Sequence, residues 1–260
     1  MIKKIYGQHT FCFSVLTIVL SIITLAIGGN IEFSNELIVP FVCLFLILSI
    51  GISHGAMDNY KANKILKIYK KNNKIIFYLI YTLISLLVII FWFFFASLTL
   101  LVFLLVASYH FGKEDSEFIK LNSKIDIIYF FKGSLVITAP LLFHKTETLK
   151  IFMDLNFNVY ESLFVSNEFI YFLISLSFIS NIIISLNKDI NIKALLLMDF
   201  ISVLLINFFL QPILAFTIYF CFLHSIRHSF KLSNELNTNN FVKGVKKFII
   251  KAVPLTILTA

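Results

Sequence analysis

The sequence FLHSIRH at residues 222–228 ends an otherwise apolar run that begins near Pro212. If this run is helical, His224 and His228 stand four residues apart on one face, where both imidazoles can bind a single metal ion. Two imidazoles rarely complete a metal site, so we expect further ligands from elsewhere in the chain. The candidates are His54 in SHGAMD and His110 in SYHFG, and each ends its own long apolar run.

The composition predicts a polytopic membrane protein. Of the 260 residues, 59% are hydrophobic and only 14% are charged, and the mean hydropathy is +0.92. A soluble domain this apolar could not cover its surface with polar groups. We assign the net charge of +8 to lysines on one side of a bilayer, not to nucleic-acid binding. The cysteines Cys12, Cys43 and Cys221 show no CxxC spacing, and we interpret them as small buried side chains.

Apolar stretches predict an all-α transmembrane helix bundle of about eight to nine spans, in which residues 1–260 form a single integral-membrane domain. The last stretch ends at Ala260, so we expect a fragment whose C-terminal span is truncated. The first stretch is interpreted as an uncleaved helix, not a signal peptide. Six lysines between residues 61 and 74 recur every three or four residues, as in an amphipathic helix at the membrane surface. The eight complete predicted spans cover residues 11–27, 37–57, 75–95, 98–111, 125–143, 169–186, 194–210 and 213–230.

The distribution of lysines predicts a cytoplasmic N-terminus in the cell membrane. With this orientation almost all basic residues lie in cytoplasmic loops, as the positive-inside rule requires. The second, fourth and eighth spans then all end at the cytoplasmic face. Ionisable groups at such depths are usually functional. We therefore predict one metal site toward the cytoplasmic face, with the ligands His54, His110, His224 and His228.

The two other histidines do not lie at the cytoplasmic end of a predicted span. His9 precedes the first span, and His144 falls on the opposite face of the membrane. We interpret both as solvated or interfacial. Asp199 is a lone carboxylate inside the seventh span, so it is a further candidate functional residue.

Four neutral imidazoles suit several first-row metals, including zinc, copper and iron, so ligand type alone does not select one. Asp58 lies four residues after His54, and Glu114 lies four residues after His110 with Asp115 beside it. These carboxylates can accept hydrogen bonds from the outer ring nitrogens and fix the tautomer that binds metal, or they are simply solvated at helix ends. Gly55 and Gly112 either permit close backbone approach or terminate helices.

Three motifs together resemble a known family. SHGAMD at 53–58, SYHFG at 108–112 and HSIRH at 224–228 are similar, in order and approximate spacing, to motifs of the Brp/Blh family of bacterial and archaeal beta-carotene 15,15'-dioxygenases. The resemblance implies a membrane enzyme that uses Fe(2+) and O2 to cleave the central double bond of beta-carotene into two all-trans-retinal, often for a rhodopsin. It also implies iron ligands at the same four histidines.

Two alternatives remain open at this stage. One is another histidine-rich membrane oxygenase, such as a lipid desaturase or hydroxylase, although the clustered HxxHH boxes of those enzymes are absent from the sequence. The other is a membrane protein that binds or transports metal or haem through histidines. The sequence contains no phosphate-binding loop, nucleophile elbow or dinucleotide fingerprint.

Overall fold

A computed structural model describes residues 2–27, 38–51, 57–70, 73–119, 126–157 and 166–259, and all regular secondary structure in these ranges is helical. The predicted all-α class is therefore confirmed. Two of the helical runs contain a π-helical turn, at Ile47–Gly51 and at Tyr219–Ser225. The helices are α1 (Ile2–Ala26), α2 (Ile38–Leu46), α3 (Asp58–Ile68), α4 (Lys74–Phe94), α5 (Ala96–Glu114), α6 (Asp126–Phe143), α7 (Lys145–Asp154), α8 (Asn167–Ser185), α9 (Ile190–Phe209), α10 (Pro212–Ile218), α11 (Ile226–Leu236) and α12 (Phe241–Thr259).

Within the described residues, seven helices are long and apolar enough to cross a membrane, which confirms the polytopic class. The predicted second span is a shorter apolar helix, Ile38–Gly51. The predicted incomplete span is α12, and its lysines keep it outside the group of seven. Because α4 ends at Phe94 and α5 begins at Ala96, the turn predicted between the third and fourth spans is a break of one residue at Phe95.

Helix α7 was not predicted; it lies in the interval between the fifth and sixth predicted spans. The hydroxyl of Thr148 is buried and donates to the carbonyl oxygens of Pro140 and His144, at 3.1 and 2.8 Å. These bonds hold the first turn of α7 against the end of α6. A ten-residue helix with several charged side chains is too short and too polar to be predicted as a span.

Two glycines bring α5 and α6 into backbone contact. A Cβ atom added to Gly112 would lie 1.8 Å from the carbonyl oxygen of Tyr129, and one added to Gly133 would lie 1.9 Å from the carbonyl oxygen of Ser108. Only glycine fits at both positions. The contact fixes the last turn of α5, which carries His110, relative to the centre of the bundle.

The helical run from Pro212 to Leu236 is not a uniform α-helix. Its π-helical turn contains His224, whereas His228 lies in the α-helical part that follows. The run is helical, as the predicted spacing of His224 and His228 requires, but the π turn within it was not predicted. The imidazole of His9 lies 2.7 Å from the carbonyl oxygen of Phe222 in this turn, and His9 is half-buried. Because the first candidate span is Lys3–Ala26, the prediction that His9 precedes the first span is wrong.

The three cysteines are free thiols. Cys43 and Cys221 are buried as predicted, but Cys12 is exposed on α1. The prediction for Cys12 is wrong because an apolar span presents part of its surface to lipid, and an apolar side chain can lie there as well as in the core.

Candidate metal centre

His110, His224 and His228 are brought to one end of the bundle by α5 and by the run from α10 to α11. The ring centroids of His110 and His224 are 5.1 Å apart. His224 is completely buried, and His228 is 2% exposed. The ring of Phe111 packs edge-on against His224 at 4.9 Å, and the ring of Phe220 stacks on its other side at 5.8 Å.

Two consecutive carboxylates at the end of α5 bind the two histidines of FLHSIRH. The Nδ1 atom of His224 lies 3.0 Å from Oδ1 of Asp115, and Nδ1 of His228 lies 2.8 Å from Oε2 of Glu114. An ionised carboxylate only accepts hydrogen bonds, so each Nδ1–H donates, and in a neutral imidazole the lone pair is then on Nε2. This is the arrangement in which proteins usually present histidine to a metal ion.

Sequence spacing placed Glu114 next to His110, but the structure pairs it with His228 on another helix. Asp115 also accepts a hydrogen bond from the hydroxyl of Tyr219 at 2.6 Å. Burial alone would raise the pKa of the Asp115 carboxyl. The neighbouring His224 and the Arg227 guanidinium lower this pKa by more than burial raises it, so it lies below its usual value. Asp115 is thus ionised and able to hold His224 in one tautomer.

Arg227, the single arginine of the chain, is 1% exposed and lies between the two histidines. Its two terminal nitrogens each lie 2.7 Å from an oxygen of Asp199 on α9, so the lone carboxylate of the seventh predicted span has a bidentate partner. Arg227 also donates to the hydroxyl of Thr10, and its carbonyl oxygen accepts from Tyr6 at 3.0 Å. These contacts connect α1, α9 and α11 beside the histidines.

Sequence reasoning singled out Asp199 but missed Arg227, Tyr219 and Lys61. A detectable signal existed for Arg227, because a lone arginine inside an apolar run needs a buried anion. Tyr219 carried no such signal among so many aromatic residues. His144 lies at the junction of α6 and α7, where its Nδ1 is 2.9 Å from Glu147, and it takes no part in the histidine group.

The distance between the rings of His110 and His224 fits a shared metal ion. Two imidazoles that share one ion, with metal–nitrogen bonds of about 2.1 Å, have ring centres roughly 5 Å apart, which matches the spacing of His110 and His224. His54 lies outside the described residues, as does the side chain of Asp58. Among the residues that are described, no three histidine, cysteine or acidic side chains form a cluster that could hold a metal.

Lys61 on α3 approaches the same group. Its Nζ atom lies 3.0 Å from Nε2 of His228, and because an ammonium group only donates, Nε2 accepts. A metal ion bound to that nitrogen would have to displace Lys61. On the other side of His228, Lys231 binds Glu114 at 3.2 Å and also contacts Glu117.

An apolar cavity of about 250 Å³ lies next to the aromatic residues that surround His224. Phe111 lines it and also packs on His224, while Phe216, another lining residue, stacks on Phe220 at 5.6 Å. Ala107 lies three residues before His110 and therefore on nearly the same face of α5. The cavity is therefore separated from His224 by a single layer of aromatic rings.

Comparison with known proteins gives two matches. Residues 45–260 match the family described as Beta-carotene 15,15'-dioxygenase. The chain is also 27% identical, over 195 residues, to a Beta-carotene 15,15'-dioxygenase of Uncultured marine bacterium 66A03. The aligned region covers 74% of this chain and 69% of that protein. No solved structure matches the chain.

Proposed function

Because the chain belongs to the beta-carotene 15,15'-dioxygenase family, we propose that it cleaves the central double bond of beta-carotene with O2 and releases two molecules of all-trans-retinal. The observation that carries the proposal is that Phe111, whose ring packs on His224, also lines an apolar cavity. The reaction balances without an external reductant, since one C=C bond and one O2 give two aldehydes.

His54, His110, His224 and His228 are the residues that would hold Fe(2+). When bound, the iron supplies the binding and activation of O2. Asp115 and Glu114 would keep Nδ1 of His224 and His228 protonated, so that both histidines present Nε2. The chain on each side of His54 supports its inclusion, since Gly51 contacts the ring of Phe220 and Lys61 contacts His228.

The apolar cavity supports a substrate without polar groups. Its lining consists almost entirely of aliphatic and aromatic side chains, contributed by α5, α6, α7, α10, the residue after α7 and Ile47 of the first π turn. Beta-carotene dissolves in the bilayer, so an active site inside a bundle of membrane helices spares its transfer into water. The same cavity would exclude water from the reacting double bond.

The orientation is also part of the proposal. We propose that the N-terminus and the histidines lie at the cytoplasmic face of the cell membrane, because this orientation puts the lysine-rich loops on the inside. Retinal formed there would leave through the bilayer, and a rhodopsin is the recipient that we predict for it.

The proposal is tested by expressing the chain in cells that accumulate beta-carotene and extracting the pigments for chromatography. We expect carotene to be lost and retinal to form with the natural sequence, but not with the double variant His224→Ala/His228→Ala. His144→Ala is the matched control and should behave like the natural sequence. Carotene that persists alongside well-folded natural protein would refute the proposed reaction.

A further inference from the structure

The apolar cavity has a defined length along α5. Its lining residues on this helix run from Leu100 to Phe111. The eleven residue-to-residue steps from Leu100 to Phe111 span about 16 Å of α-helix. Since Phe111 packs on the ring of His224, the end of the cavity at Phe111 is the end nearest the histidines.

The other end is lined by α7. Ile151, Phe152 and Leu155 all face the cavity. The residue after Leu155 is tied to the start of α5, because the hydroxyl of Ser97 donates to the carbonyl oxygen of Asn156 at 3.3 Å. The C-terminal half of α7 therefore lies at the level of Leu100, far from His110.

The cavity length matches half of a symmetric carotenoid. From the central bond to the end of one ring, half of beta-carotene measures roughly 15 Å at about 1.2 Å of advance per conjugated bond. A half-molecule that fills the cavity from α7 to Phe111 thus brings the central bond to the histidine end. A shorter or longer cavity would bring a different bond to that position.

On this basis, which rests on the proposed function, we propose that α7 is the stop that selects the bond to be cleaved and that Phe152 is its specificity-determining residue. Phe152 is the largest side chain that α7 contributes to the cavity wall. The helix that carries it is held firmly, since Thr148 is bonded to two carbonyl oxygens at the end of α6 and Ser97 contacts the residue beyond its other end.

Phe152→Ala should let the polyene enter more deeply. The lost ring extends about 4 Å beyond Cβ, whereas the next double bond lies only about 2.5 Å along the chain. Cleavage there is still the addition of one O2 across one C=C bond. It yields a fragment two carbons longer on the cavity side and one two carbons shorter on the other side, both ending in a carbonyl group.

The experiment compares the products of the natural sequence, Phe152→Ala and Met153→Ala in carotene-accumulating cells. Met153 is on the same helix but 46% exposed, so its variant controls for a change in α7 as such. We expect the share of off-centre products to rise at least about tenfold in Phe152→Ala and to stay unchanged in Met153→Ala.

The outcomes separate the two proposals. Retinal as the sole product of all three proteins would overturn the role of α7 and leave the proposed function intact. A natural sequence that forms no retinal would overturn both. To guard against loss of folding in Phe152→Ala, Leu100→Trp shortens the cavity from the α5 side. It should suppress central cleavage by at least about tenfold, and full activity of this variant would also contradict the inference.

Discussion

Gly112→Ala tests whether the close contact of α5 and α6 positions the carboxylates that bind the histidines. The added Cβ would lie 1.8 Å from the carbonyl oxygen of Tyr129 and 2.8 Å from the backbone nitrogen of Gly133. Carbon–oxygen contacts between packed helices are about 3.3 Å or longer, so α5 and α6 would have to separate by roughly 1.5 Å.

The magnitude follows from the kind of atoms involved. Both contacts are with backbone atoms of α6, which cannot rotate away as a side chain can. Overpacking costs about 1–3 kcal/mol in general, and we expect the upper end of that range for this variant. For a chain of this size, about 3 kcal/mol lowers the Tm by roughly 6–12 °C.

The same displacement should reduce activity. Glu114 and Asp115 directly follow the contact and hold His228 and His224. A shift on the order of 1 Å at a catalytic group can cost about 100-fold in rate. The expected result is therefore a loss of both stability and retinal formation.

The assays are thermal unfolding in detergent and retinal formation from beta-carotene. Gly7→Ala is the matched control, because its added Cβ would lie 3.8 Å from a Leu195 methyl group, which is an ordinary contact. If Gly112→Ala unfolded at the same temperature as Gly7→Ala and kept the activity of the natural sequence, the positioning role of the helix contact would be refuted.

Three further predictions concern the charged residues around the histidines. Asp115→Asn should weaken iron binding by about 10–100-fold, measured by metal titration, because the amide can no longer hold His224 with a charge; unchanged affinity would contradict this. Asp199→Asn should destabilise the protein by about 3–5 kcal/mol, seen in thermal unfolding, because it leaves Arg227 buried without its anion, and a change below 1 kcal/mol would argue against a structural role. Lys61→Met should strengthen iron binding several-fold, on the order of 1 kcal/mol or less, because it removes the ammonium group at Nε2 of His228; weaker binding would instead make Lys61 a supporting residue.

Hydropathy predicted the long helices well because a run of apolar residues in a membrane has few alternatives to a helix. The six spans predicted from residue 75 to residue 230 correspond to α4, α5, α6, α8, α9 and the run from α10 to α11. The short helix α7 and the π turn at Tyr219–Ser225 were not predicted. Neither leaves a signal in hydropathy, since one is short and charged and the other is as apolar as an α-helix.

The partners of the site residues were harder to predict than the residues themselves. Spacing along one helix paired Glu114 with His110, whereas the fold pairs it with His228 from a helix more than a hundred residues later. Arg227 and Asp199 were each visible as ionisable groups in apolar runs. Only the fold, which brings Asp199 on α9 to Arg227 on α11, shows that they neutralise each other, because sequence alone does not give the register of two helices.

The most direct test of the central claim is turnover by purified protein whose metal has been removed. The protein is mixed anaerobically with one equivalent of Fe(2+) and beta-carotene, O2 is then admitted, and retinal is quantified. We expect two retinal per carotene consumed, no product without iron, and none from His110→Ala, which loses a proposed ligand whose ring centre lies 5.1 Å from that of His224. Equal turnover by the metal-free protein, or by His110→Ala, would contradict it.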